Sequence, residues 1–125
     1  MISIEKEAQF QTYFTKTIKH FWWWIYKMPD IWNVQKPFDC FISYKGFIKW
    51  VELKIAPTSK TNVFRLLKDH QVTNLQRLYP NWYVVCYYKK EKATSVFQMQ
   101  PDTSLKEVIH LQRLSLVCQY LLWIN

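Results

Sequence analysis

Three charged residues stand out because their neighbours are almost wholly apolar: Asp39 in Phe38-Asp39-Cys40-Phe41-Ile42, and Glu52 and Lys54 in Trp50-Val51-Glu52-Leu53-Lys54-Ile55. Strand side chains alternate between faces, so Glu52 and Lys54 point one way and Leu53 the other. Ile48 and Trp50 share the Glu52 face, which is therefore not a uniformly solvated one, and two charges at its end call for a reason. Asp39 lies across a hairpin from them. Two carboxylates at one end of a hairpin form a hard oxygen site suited to Mg²⁺. A lysine beside them can orient or help deprotonate an attacking water and neutralise charge developing on a phosphate. Phosphodiester hydrolysis needs those parts.

The elements that position these residues follow from local pattern. The single glycine, Gly46, falls between Phe38–Tyr44 and Phe47–Ile55, two runs rich in aromatic and β-branched residues. Lys45-Gly46 then reads as a two-residue hairpin turn, with glycine accepting the positive φ. Upstream, Glu7, Phe10, Phe14, Ile18 and Phe21 recur at spacings of three and four, one face of a helix over residues 4–20. Phe21 to Lys27 reads as a first strand closed by Pro29. Downstream, Phe64, Leu67, Gln71, Leu75 and Leu78 predict a helix over Val63–Tyr79, ended by Pro80-Asn81. Trp82 to Tyr88 predicts a buried strand. Ser104-Leu105-Lys106-Glu107 has the form of a capping box opening a last helix that runs towards Trp123. The expected fold is α/β: a mixed sheet flanked by helices, with residues 1–125 as a single domain.

Charge supports a polyanionic partner. There are 17 Lys and Arg against 9 Asp and Glu, for a net charge of +8. Between Lys36 and Lys68 lie seven basic residues and two acids, Asp39 and Glu52, so a net +5 sits in the segment holding the proposed site. Lys45, Lys49, Lys60, Arg65 and Lys68 are the expected contacts to a DNA backbone. Cys40, Cys86 and Cys118 have no spacing that suggests zinc or a disulfide framework and read as reduced core thiols. His20, His70 and His110 likewise form no zinc pattern. Residues 1–10 lack the apolar run of a signal peptide, and Phe21–Tyr26 is too short to span a bilayer. A cytoplasmic protein with no membrane association and no small-molecule cofactor is expected.

Pro37-Phe38-Asp39, followed after a hairpin by Glu52-Leu53-Lys54, resembles the signature of the PD-(D/E)XK nucleases. The order of elements is similar to that superfamily's restriction-endonuclease-like αβββαβ core. Phe38 separates Pro37 from Asp39, and a literal Pro29-Asp30 upstream reads as a turn. The resemblance covers about Glu5 to Tyr88. It implies that Glu7, on the apolar face of the first helix, completes the metal site with Asp39 and Glu52, although Glu5 lies one face round and competes for that role. His70-Gln71, on the helix after the Glu-x-Lys strand, is similar to the pattern in Holliday junction resolvases of the RecU and archaeal kinds and in some phage nucleases. Gln71 would then support Asp39, Glu52 and Lys54 in catalysis.

What the resemblance implies is a Mg²⁺-dependent DNA endonuclease, with Mn²⁺ as a substitute ion. Its implied substrate is a branched junction cut by a homodimer. Flap, single-strand or restriction-like cleavage are alternatives within the class, and a non-catalytic DNA-binding or assembly protein that has kept the fold is the rival outside it.

Overall fold

A computed structural model of the chain describes residues 4–21, 24–27, 39–44, 47–78, 81–102 and 104–123. Helix α1 (Glu7–His20) is followed by β1 (Trp24–Lys27), β2 (Cys40–Tyr44) and β3 (Phe47–Ala56). A 3-10 turn (Val63–Leu66) and α2 (Asp69–Leu78) lead to β4 (Trp82–Tyr88), β5 (Ala93–Met99), β6 (Leu105–Leu111) and α3 (Leu114–Trp123). The strands form one six-stranded sheet in sequence order. Among the described strands only β3 and β4 run parallel; the other neighbours are antiparallel. A parallel pair needs a long crossover, and the 3-10 turn with α2 supplies it. The protein is therefore α/β with a mixed sheet flanked by helices, as expected.

The sheet separates two apolar layers. Val51, Leu53, Tyr83, Val85 and Val96 face Phe10, Phe14 and Ile18 of α1 and Val117, Cys118 and Leu121 of α3. On the other face Ala56, Trp82, Val84, Cys86 and Tyr88 pack with Val63 and Leu67 before α2 and with Val72 within it. Covered on both sides, β3 is buried from Val51 to Lys54. All three cysteines are buried and none is in a disulfide, as expected.

Four expectations about elements are corrected. Phe21 does not begin a strand; its backbone N–H closes α1 on Ile18 and Lys19 carbonyls, and β1 starts at Trp24. The helix expected over Val63–Tyr79 is broken at Leu67, whose extended backbone (ψ 138°) ends the 3-10 turn. There α2 starts afresh: the Gln71 side-chain oxygen Oε1 accepts from Lys68 N–H at 2.9 Å, half of a capping box. The third correction is the largest. Residues 105–111 are strand β6 rather than the start of the last helix, and β5, which was not expected, pairs with it.

Both halves of the apparent capping box are engaged elsewhere. Ser104 donates from its hydroxyl and its N–H to the Asp102 carboxylate, at 2.6 and 3.0 Å. Glu107 accepts across the sheet from Ser95. With the cap absent, Val108-Ile109 follow their β-branched preference. The last helix begins only at Leu114. Fourth, Asp39 is not inside a strand but immediately precedes β2. The Lys45-Gly46 turn and Pro29-Asp30 lie outside the described residues, although Tyr44 and Phe47 on either side of the turn are paired.

Candidate active site

The site is built where β2 stops and β3 continues. The last described pairing between them joins Cys40 to Val51, and the Asp39 N–H still donates to the Val51 carbonyl at 3.2 Å. Beyond that point the next outward-facing donor of β3, Leu53 N–H, is met by a side chain: Asp39 Oδ2 accepts it at 2.8 Å. A buried backbone donor requires a partner, so this carboxylate takes over the role of a strand. Its other oxygen accepts from Gln11 Nε2 at 3.3 Å. Gln11 is one helical turn after Glu7 and on the same side of α1, so the start of α1 overlies the split.

Glu52 enters from β3. Its Oε1 accepts from Gln71 Nε2 at 2.6 Å and lies 3.6 Å from Lys54 Nζ. Gln71 thus ties the start of α2 to the site: its oxygen caps the helix while its nitrogen holds Glu52. Glu7, Asp39 and Glu52 each offer an oxygen within 4.8 Å of the others. Glu7, rather than Glu5, is the helix residue that joins the group. Asp39, Glu52, Lys54 and Gln71 are all buried, and Glu52 is only 1% exposed.

Three ionised carboxylates against one lysine would leave a net charge of −2. Burial, followed by the Asp39 carboxylate, pushes the Glu52 carboxyl up to about 8, against a smaller pull downward from Lys54. Glu52 Oε2 is buried with no hydrogen-bond partner among the described residues, which is costly unless something else meets it. The donors are all hard carboxylate oxygens, and a divalent ion would cancel the surplus charge. The residues therefore fit Mg²⁺. Cys86, paired with Lys54 on β4, is not part of that group; burial, with Glu7 adding to it, raises its thiol to about 12.

The expected DNA contacts divide. Lys60, Arg65 and Lys68 are exposed on the segment between β3 and α2, and Lys68 is hydrogen-bonded to Gln71 beside the site. Lys45 lies outside the described residues. Lys49 is a correction: it is 5% exposed, and its ammonium donates to the Leu121 carbonyl near the end of α3 at 2.6 Å. As the third residue of β3 it faces the helices, opposite to Glu52.

Sequence reasoning missed Gln11, for which the four-residue step from Glu7 was an available signal. It also missed the turn Lys89–Lys92. There the Lys89 and Lys90 N–H groups donate to the Ala56 and Pro57 carbonyls at 2.9 and 3.0 Å, which sets a basic turn beside the end of β3. The run Lys89-Lys90-Glu91-Lys92 was visible, but not its place.

Among the described residues no helix is long and apolar enough to cross a membrane. In comparisons with known proteins, no family model, curated protein or solved structure matches this chain.

Proposed function

We propose that this protein is a Mg²⁺-dependent DNA endonuclease of the PD-(D/E)XK type. The observation that carries the reading is the convergence of Glu7, Asp39 and Glu52, where one buried Glu52 oxygen has no hydrogen-bond partner among the described residues and Lys54 and Gln71 stand against the other. The order of elements through β4, one helix, three strands, a helix and a strand, agrees with the αβββαβ core of that superfamily. The surplus of positive charge suits a polyanionic substrate.

In this reading Asp39 and Glu52 hold the ion and Glu7 completes its ligands. When bound, Mg²⁺ supplies a Lewis acid for the phosphoryl oxygen and makes water more acidic. Asp39 is oriented by Leu53 N–H and Gln11, and Glu52 by Gln71, so both carboxylates are set before substrate arrives. Lys54 carries its charge beside Glu52, where it orients the attacking water and stabilises the negative charge of the transition state. Lys60, Arg65 and Lys68 hold the backbone. The substrate read from the resemblance is a four-way junction, cut by a homodimer with one site on each of two strands. Mn²⁺ would serve in place of Mg²⁺.

Incubation with duplex, flap and four-way junction DNA, with and without Mg²⁺, tests this. Cleavage that needs Mg²⁺ and is lost in Asp39→Ala and Lys54→Ala is the expected result. DNA binding without cleavage of any substrate, with or without Mg²⁺, would instead favour the non-catalytic assembly protein.

A further inference from the structure

The same face of the sheet that carries Glu52 continues into a second polar centre. The register row from Glu52 passes through Val84 to Phe97, and the row from Lys54 passes through Cys86 and Ser95 to His110. Ser95 is fully buried, and its hydroxyl donates to Glu107 Oε1 at 2.5 Å and meets His110 Nδ1 at 2.7 Å. Since Ser95 already gives its one proton to Glu107, the His110 nitrogen is the donor of that pair. A buried serine with its hydroxyl spent in this way is no nucleophile. What it does is hold the Glu107 carboxylate in one orientation at the wall of a cavity.

That cavity has a volume of about 590 Å³, within the range of roughly 300–1,000 Å³ typical of small-molecule sites. Three aromatic rings line it, Phe64, Tyr88 and Phe97, together with Asn62, Asp102 and Glu107. Asn62 uses its side-chain oxygen to cap Phe64 N–H, while its amide nitrogen donates to no described residue. The second oxygen of Glu107 accepts from none. The cavity therefore combines π faces with one open donor and one open acceptor. Among the described residues no lysine or arginine lines it, and its two carboxylates repel a phosphate. The cations stand just outside, Lys60 next to Thr61 and Arg65 next to Phe64 in the chain. At roughly 4.8 Å per strand, Phe97 is about 10 Å from Glu52, a distance covered by about three nucleotides at the duplex rise of 3.4 Å.

We infer that this cavity receives one unstacked nucleobase carrying an exocyclic amino group, from the strand whose phosphate lies at the acidic centre. The rings stack on the base, Glu107 accepts from its amino group as carboxylates do from cytosine N4, and Asn62 donates to a neighbouring ring acceptor. Sugar and phosphate stay outside with Lys60 and Arg65. The inference rests on the DNA-cleavage reading for its strand, but the cavity's chemistry is testable without cleavage.

The test is titration of the full chain, in chelator and without Mg²⁺, with cytidine 5′-monophosphate, uridine 5′-monophosphate and inorganic phosphate, followed by NMR. Cytidine monophosphate is expected to bind about tenfold more tightly than uridine monophosphate, with shifts centred on Phe64, Tyr88 and Phe97 that phosphate alone does not produce. Glu107→Gln, at a half-exposed position, should bring the two nucleotides to near equality. Phe97→Leu should weaken both. Equal binding of the two nucleotides by the unaltered chain, shifts reproduced by phosphate, or a preference that survives Glu107→Gln would each overturn the inference. A chain that cleaves DNA yet binds neither nucleotide overturns it and leaves the nuclease reading standing. Selective cytidine binding by a chain that never cleaves supports the cavity assignment and removes the nuclease reading instead.

Discussion

Strand β3 buries two lysines on opposite faces, and the surroundings of each show what a buried charge is for. Lys49 lies under α3, where its ammonium meets a backbone carbonyl. Burial lowers its pKa to about 8. Lys54 lies at the split in the sheet beside a carboxylate that keeps an unpartnered oxygen. The first arrangement involves a helix carbonyl and fastens a helix to the sheet. The second leaves a surplus of negative charge that only a proton or a cation can relieve. Burial of a lysine is thus not itself a functional sign; an unbalanced partner is.

The comparison breaks most readily on activity. Lys54→Ala and Asp39→Ala should lower the cleavage rate by at least about 10²-fold, the usual range for loss of a group that acts in the transition state. DNA affinity measured in Ca²⁺ should stay within roughly tenfold. Lys49→Met should cleave within about twofold of the unaltered chain. A Lys49→Met protein that folds but does not cleave would dissolve the distinction between the two faces.

The same contrast predicts opposite pH effects on the metal-free fold. Glu52 has a folded pKa of about 8, above its ordinary value. Between about pH 4.5 and 8 the folded state keeps a proton that the unfolded chain has released, so stability falls as pH rises, by up to roughly 1.4 kcal/mol per unit. Glu52→Gln should remove that slope in urea unfolding with chelator, and saturating Mg²⁺ should reverse it.

Lys49 titrates near the same pH with the other sign. Between about 8 and 10.5 the unfolded chain holds the extra proton, so the contribution to stability rises with pH. This is read as the difference between the unaltered chain and Lys49→Met, because the buried thiols of Cys86 and Cys118, raised to about 12, lower stability with pH above about 9. At neutral pH, Lys49→Met should cost about 1 kcal/mol, since it leaves the Leu121 carbonyl with one partner fewer while relieving a desolvated charge.

The smallest effect concerns the exposed cations. Lys60→Ala with Arg65→Ala should reduce the magnitude of the log–log salt slope of DNA binding by about two, whatever the DNA sequence. A Lys49→Met control should leave the slope unchanged. An equal drop in the control would return Lys49 to the DNA surface.

The candidate site was legible because strand alternation is a strong local rule. Glu52 and Lys54 had to share a face, and a hairpin had to bring Asp39 back beside them. Even Gln71 could be placed from its position after Phe64 and Leu67, although its capping bond could not, since that depends on where the helix restarts. The basic surface was less legible: counting charges between Lys36 and Lys68 takes no account of which face each occupies. Lys49 shows the cost of that. The last third of the chain was misread because Ser104 and Glu107 satisfy a helix-start pattern locally, whereas their partners, Asp102 in a turn and Ser95 on a neighbouring strand, are set by tertiary structure.

The parallel pairing of β3 with β4 has a kinetic consequence. Strands β1 to β3 are adjacent antiparallel neighbours, as are β4 to β6, and each trio can form by short-range closure. Among the described strands they meet only between β3 and β4, where Glu52 lies opposite Val84, far along the chain. Loop closure over such a distance is slow and is rewarded late. The two trios are therefore expected to form first and dock afterwards, and the seam on which they dock carries Glu52 and Lys54. Until it closes Glu52 is not buried and the candidate metal site is not assembled, so amide protection at Leu53 and any capacity to bind a divalent ion should arise together, in the last phase of folding.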